Sequence, residues 1–150
     1  MKQAVCIALF VVLFALLSFG QSTDPCQSGS IAKQSVFANI TTATTTALVP
    51  IATGPETGAR LSVYVCGILF QLNSSTASTL FFEQGTGTAC ASSPVALTAT
   101  YTNGTVASEA IAYGGDGMTI FKTAVGNGLC AVSTVGTGPS IPVTVTYIQQ

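Results

Sequence analysis

The sequence predicts an all-β fold: a two-sheet antiparallel sandwich of jelly-roll or Greek-key type, with about nine short strands and two disulfides. Three observations predict it. Helical periodicity is nearly absent beyond residue 20. Residues that fit a pleated surface dominate there, with 22 Thr in the chain alongside Val, Ile, Tyr and Phe. Clusters of Gly, Asn and Pro recur at the short intervals that separate strands. A chain of this size buries a little under ~70% of its extended surface, enough for one core. No composition break marks a second domain, so residues 21–150 read as a single sandwich domain behind a short leader.

The leader comes first. Lys2 gives Met1–Gly20 a minimal positive start, and Ala4 to Leu17 is uninterruptedly apolar. Ser18 and Gly20 supply small residues three and one positions before a cut at Gln21. A membrane anchor is the rival reading, since Ala4–Gly20 reaches the bottom of the spanning range of roughly 17–25 residues. The small residues and the polar segment that follows favour a cleaved secretory signal, and with it no stable membrane insertion afterwards. The expected location is outside the cytosol: secreted, on the cell surface, or periplasmic. Gln21 to Ser30 then forms an extended arm tied at Cys26.

Strands are expected at Ser35–Ile40, Thr44–Ile51, Leu61–Leu72, Thr79–Gln84, Val95–Thr102, Val106–Ala112, Met118–Thr123, Leu129–Thr134 and Pro142–Ile148. Turns separate them at Thr53-Gly54-Pro55, Asn73-Ser74-Ser75, Gly85-Thr86-Gly87, Gly114-Gly115-Asp116-Gly117 and Gly126-Asn127-Gly128. Asn103-Gly104 is a hairpin signal, because both residues tolerate positive φ. In Val95–Thr102, Val95, Leu97, Ala99 and Tyr101 alternate with Ala96, Thr98, Thr100 and Thr102. In Val143–Ile148, Val143, Val145 and Tyr147 alternate with Thr144, Thr146 and Ile148. Such strands suit a sheet with one wet face. In Leu61–Leu72, Val63, Val65 and Leu69 fall on one side and Tyr64, Cys66, Ile68, Phe70 and Leu72 on the other. Both sides are mostly apolar, so a central strand is expected, with Cys66 as a staple in the core.

The leader carries away Cys6 and leaves Cys26, Cys66, Cys90 and Cys130. An even number in an exported chain implies two disulfides. Zinc held by four thiolates would call for closely spaced pairs, whereas the gaps here are 40, 24 and 40 residues. Three pairings are open. Cys26–Cys66 with Cys90–Cys130 is favoured because it closes two separate loops, each worth on the order of 3–4 kcal/mol by loop entropy.

The missing residues narrow the chemistry. The chain has no His, which removes Ser-His-Asp triads, Cys-His dyads and imidazole metal ligands. After the leader, Lys33, Arg60 and Lys122 stand against Asp24, Glu56, Glu83, Glu109 and Asp116, a net charge of −2. So few cations make nucleic acid a poor partner. A glycosidase would need two carboxylates across a cleft, and Glu83 with Glu109 is the one pair worth considering; single acids on solvated faces are the plainer reading. The Gly85–Thr88 run lacks the later Gly of a dinucleotide loop and the Lys of a P-loop. The Gly114–Gly117 run has one carboxylate, far short of a calcium site. No enzymatic activity, catalytic residue, metal or cofactor is expected.

Binding features remain. Asn39, Asn73 and Asn103 head N-glycosylation triplets that a eukaryotic host would read. Tyr64, Phe81, Phe82, Tyr113 and Phe121 are the candidate ligand or partner contacts. Phe81 and Phe82 are adjacent and cannot share a face of one strand. Weak charge repulsion and edge strands without Lys gatekeepers favour self-association, with 35–51 able to add a strand to a neighbour.

Several short runs carry a resemblance: Val63-Tyr64-Val65-Cys66-Gly67, Gly85-Thr86-Gly87-Thr88-Ala89-Cys90, Ala96-Leu97-Thr98, Phe121-Lys122-Thr123, Gly128-Leu129-Cys130 and Val143-Thr144-Val145-Thr146-Tyr147. Together they resemble a group of uncharacterised secreted bacterial and phage-associated β-sandwich proteins with a four-cysteine pattern. The resemblance implies a non-enzymatic role at a surface, in an appendage or as virion decoration. It carries no catalytic residues. The expected function is therefore a secreted structural or adhesive sandwich that self-associates. A carbohydrate-binding module is the alternative, and a small glycosidase the third.

Overall fold

The computed structural model describes residues 24–27, 31–51, 60–72, 78–103, 109–115, 117–134 and 140–150. The leader, the turns at 53–55 and 73–75, Glu56 and Asp116 lie outside them. Among the described residues the chain forms ten strands: β1 Gln34–Ile40, β2 Thr44–Val49, β3 Val63–Leu72, β4 Ser78–Thr86, β5 Ser92–Ala96, β6 Tyr101–Asn103, β7 Glu109–Gly114, β8 Phe121–Lys122, β9 Gly128–Thr134 and β10 Ile141–Gln149. A 3-10 turn, Thr88–Cys90, interrupts the series between β4 and β5.

The strands form two antiparallel sheets. The first runs β1-β10-β3, with β7 and β8 placed end to end along the far edge of β3. The second runs β2-β9-β4, with β5 and β6 end to end along β4. Taking β5 with β6 and β7 with β8 as interrupted strands, the pairing is nested: first with last, second with next to last, and so inward, alternating between sheets. That wrapping is a jelly roll, one of the two topologies the sequence allowed.

The core lies between the layers. Ile40, Val63, Val65, Ile68, Phe70, Leu72, Ile141, Val143 and Val145 of the first sheet meet Val49, Leu80, Phe82, Leu129 and Ala131 of the second. The Phe70 and Phe82 rings meet edge-on, 6.0 Å apart, across the gap. Aromatic pairs in this arrangement add about 0.5–1.5 kcal/mol beyond their buried area.

The described part of the arm, residues 24–27, is a turn with Gln27 N–H donating to the Asp24 carbonyl at 3.0 Å, not extended chain. Three expectations about strands also change. In β3, Thr146 pairs with Gly67 but Tyr147 pairs with Val65, which leaves Cys66 as an extra residue in a bulge. The bulge flips the alternation, so Val63 and Val65 share the inner face with Ile68, Phe70 and Leu72, and Leu69 points outward. Cys66 is not a core staple. It packs with Cys26, Ile148, Ile31 and Tyr64 in a small separate cluster beneath the arm.

Second, the strand expected over Val95–Thr102 is two. The N–H groups of Leu97 and Thr98 both donate to the Phe82 carbonyl, and Phe82 N–H donates to Thr98 Oγ1 at 3.0 Å. The Thr side chain takes the place of a ladder acceptor, and the pairing stops there. Val95 is left 52% exposed, while Leu97 and Tyr101 still reach the core. Third, the strand expected over Met118–Thr123 shrinks to Phe121–Lys122, because Thr123 Oγ1 accepts from Val63 N–H at 2.9 Å and closes the pairing.

The disulfides are Cys26–Cys66 and Cys90–Cys130, the favoured pairing. Cys130 alternates with the core residues Leu129 and Ala131, so both bonds lie on the outer sides of the sandwich, one per sheet. The first ties the N-terminal arm to β3; the second ties the 3-10 turn to β9.

Candidate interaction surface

The outward residues of the first sheet follow from its register. Phe37 pairs with Thr144, Thr144 with Leu69, and Leu69 with Ala112, so these four form one row across four strands. Ser35, Thr146, Gly67 and Gly114 form the next. Phe37 is 65% exposed and Leu69 52%. The second row is low: Gly67 has no side chain, and Ser35 Oγ and Thr146 Oγ1 lie 3.2 Å apart in a hydrogen bond. Along it the sheet dips into an open groove of about 390 Å³, bounded by Lys33, Leu69, Thr144, Thr146 and the glycines Gly114, Gly115 and Gly117. The groove is mostly apolar, with Lys33 its sole cation among the described lining residues.

The arm is held to the same sheet by its disulfide and by Asp24. Asp24 accepts hydrogen bonds from Cys26 N–H at 2.9 Å, Thr119 N–H at 2.9 Å and Thr119 Oγ1 at 2.7 Å. The Thr119 backbone and then its hydroxyl hold the Asp24 carboxyl below its ordinary pKa, against a smaller opposing effect of burial; Cys26 N–H and Lys33 add to the lowering.

The second sheet presents a different outer face. Thr79 and Thr134 pair through their hydroxyls, Phe81 sits half-buried opposite Val132, and Glu83 lies between Cys130 and Ala96. Glu83 is 9% exposed, and burial raises its pKa. A second open cavity of about 430 Å³ lies over the Cys90–Cys130 bond, lined by Val49, Pro50, Ile51 and the Thr88–Cys90 turn.

The aromatic candidates do not converge. Phe82 is fully buried in the core and offers no surface. Phe121 is half-buried against the Phe82 ring at 6.2 Å. Tyr113 is 43% exposed, its ring 5.8 Å from Tyr101 at the open edge between the sheets. Tyr64 is half-buried beside the arm, with Lys122 Nζ 5.7 Å from its ring centre. Phe81 lies on the outer face of the other sheet. Glu83 and Glu109 stand on different sheets, and Glu83 points away from the layer that holds Glu109, so the two do not share a cleft. Asn39 is exposed on β1; Asn73 and the Thr105 of the third triplet lie outside the described residues.

Phe37 and Leu69 were not among the candidates. Phe37 left a signal: Val36, Ala38 and Ile40 alternate as an inward set, and Phe37 is the large apolar residue out of phase with them. Leu69 left none, since its side depends on the bulge. Among the described residues no helix is long and apolar enough to cross a membrane, and no three of His, Cys, Asp and Glu gather as metal ligands. Comparison with known protein families, curated proteins and solved structures finds no match for this chain.

Proposed function

We propose that this chain is an exported, non-enzymatic structural or adhesive jelly roll that self-associates as a subunit of a surface layer, an appendage or a virion decoration. The observation that carries the reading is the row Phe37–Thr144–Leu69–Ala112, which leaves two large apolar side chains more than half exposed on one sheet face. Large exposed apolar residues gathered in one row of a sheet face mark contact surfaces. Two disulfides call for an oxidising, non-cytoplasmic compartment. Five acids and four bases in 150 residues leave little charge to keep copies apart.

Analytical ultracentrifugation across a wide concentration range tests it, together with a glycan array. Concentration-dependent oligomers without glycan retention are expected. A strict monomer that binds glycan, and loses the binding in Phe37→Ala, makes the chain a carbohydrate-binding module instead. Turnover of a polysaccharide, abolished by Glu83→Gln, makes it a glycosidase.

A further inference from the structure

The proposed self-association has a specific place in the fold, and the inference here rests on that reading. Each sheet of the sandwich ends in open edges, and an open edge pairs with another strand unless something prevents it. Three of the four carry a blocking feature. β2 is bulged between Ala47 and Val49. The β5 edge holds Pro94 and shifts register between Gln84 and Thr86, and β6 adds only three residues. The β7 and β8 edge is split and carries Glu109 and Lys122.

β1 has none of these. Its seven residues pair with β10 in unbroken register from Gln34 to Ile40. It contains no charge, no Pro and no Gly. Among the described residues no strand lies on its other side. Phe37 is its middle residue and is 65% exposed.

We infer that β1 pairs antiparallel with β1 of a second copy about a two-fold axis at Phe37, joining the first sheets of two molecules into one continuous sheet. Self-complementarity is what selects a second copy as occupant. Full overlap of two identical seven-residue strands sets Phe37 against its own counterpart, Ser35 against Asn39, and Gln34 against Ile40. The two Phe37 rings then cover each other on the outer face and join the rows Phe37–Thr144–Leu69–Ala112 of both copies end to end. Lys33, the cation just before β1, falls opposite Thr41 of the other copy instead of opposite itself, so the pairing brings no like charges together. A closed, isologous contact of this kind gives a dimer.

Three variants test it in the purified full-length protein, each with its fold checked by circular dichroism. Phe37→Lys places a charge on the axis, and is expected to raise the midpoint concentration of association at least ~30-fold, as loss of a central contact does. Phe37→Cys is expected to form a covalent dimer on mild oxidation, with the bond mapped to position 37. Ser35→Cys mixed with Asn39→Cys is expected to cross-link as a heterodimer, while neither cross-links with itself. Ser35→Cys joining to its own copy means a parallel or slipped contact and overturns the inference. Association unchanged by Phe37→Lys overturns the β1 contact and leaves self-association standing through another surface. A wild-type protein that stays monomeric at every concentration overturns both.

Discussion

Glu83 sits in a row with Ala47, Cys130 and Ala96, and nothing in that row offers its carboxylate a counter-charge. Burial raises its pKa, so the folded state binds the proton more tightly than the unfolded chain. The sign follows from that order. Stability falls as pH rises from the ordinary carboxylate range through the raised folded value, and the cost is complete above it. Glu83→Gln is therefore expected to melt at a higher temperature than the wild type at neutral pH. The difference should vanish below about pH 4, where both states are protonated. Melting curves at several pH values check it. Gly85, two residues on, faces the other half of the same disulfide: a Cβ there would come within 2.8 Å of the Cys90 carbonyl oxygen and 2.9 Å of Cys90 Cβ. Neither neighbour is a free side-chain end, so Gly85→Ala is expected to cost about 1–3 kcal/mol in urea unfolding. At this scale the sequence was partly legible. Adjacency alone required Phe81 and Phe82 to part, and they do, Phe82 inward and Phe81 outward. Which was which depends on the register of β4 with β9, a long-range pairing that no local pattern encodes.

The strands and the arm obey the same division. Alternation in Val143–Ile148 marked β10 correctly as far as Tyr147, whose side chain packs against the core beside Val145. It also set Ile148 on the opposite face, but that face is not wet there, because Ile148 lies under the arm with Cys26 and Cys66 and is as buried as any core residue. Over Leu61–Leu72 the bulge in β3 is the physical reason the sequence misled. One extra residue exchanges the faces, and a strand apolar on both sides reads the same with or without it. The arm itself depends on Asp24. Its carboxylate holds Thr119 and Cys26 while its pKa is lowered, so the contribution is present above the ordinary value of 3.8 and is lost as pH falls through the lowered one. Asp24→Ala is expected to lower the protection of the Thr119 amide, its exchange measured against the intrinsic rate at the same pH, at neutral pH, and protonation of Asp24 in acid is expected to lower that protection in the wild type. Exchange measured by NMR on both proteins checks the pair of outcomes.

In the whole molecule the two sulfur bonds stand on opposite outer sides, with the core between them. Each closes a loop with a sequence separation of 40, for which the loop-entropy relation gives about 3–4 kcal/mol. Their removal is expected to be additive to within ~0.5 kcal/mol, since the sites share no neighbour. Urea unfolding of the Cys26→Ser/Cys66→Ser protein, the Cys90→Ser/Cys130→Ser protein and the quadruple variant checks this; strong coupling would mean that the layers communicate through the core. The pairing was legible because it closes separate loops, and the sandwich because its strands are short and alternate. The choice of a jelly roll over another key was not, since it rests on which distant strands become neighbours. The arm has a mechanical consequence as well. Tension entering the chain ahead of Cys26 crosses the sulfur bridge straight into β3. The segment 27–65, which includes β1 and β2, is a slack bypass that bears no pull. A tether hauled from that end would thus leave the β1 rim unloaded while the central strand takes the strain.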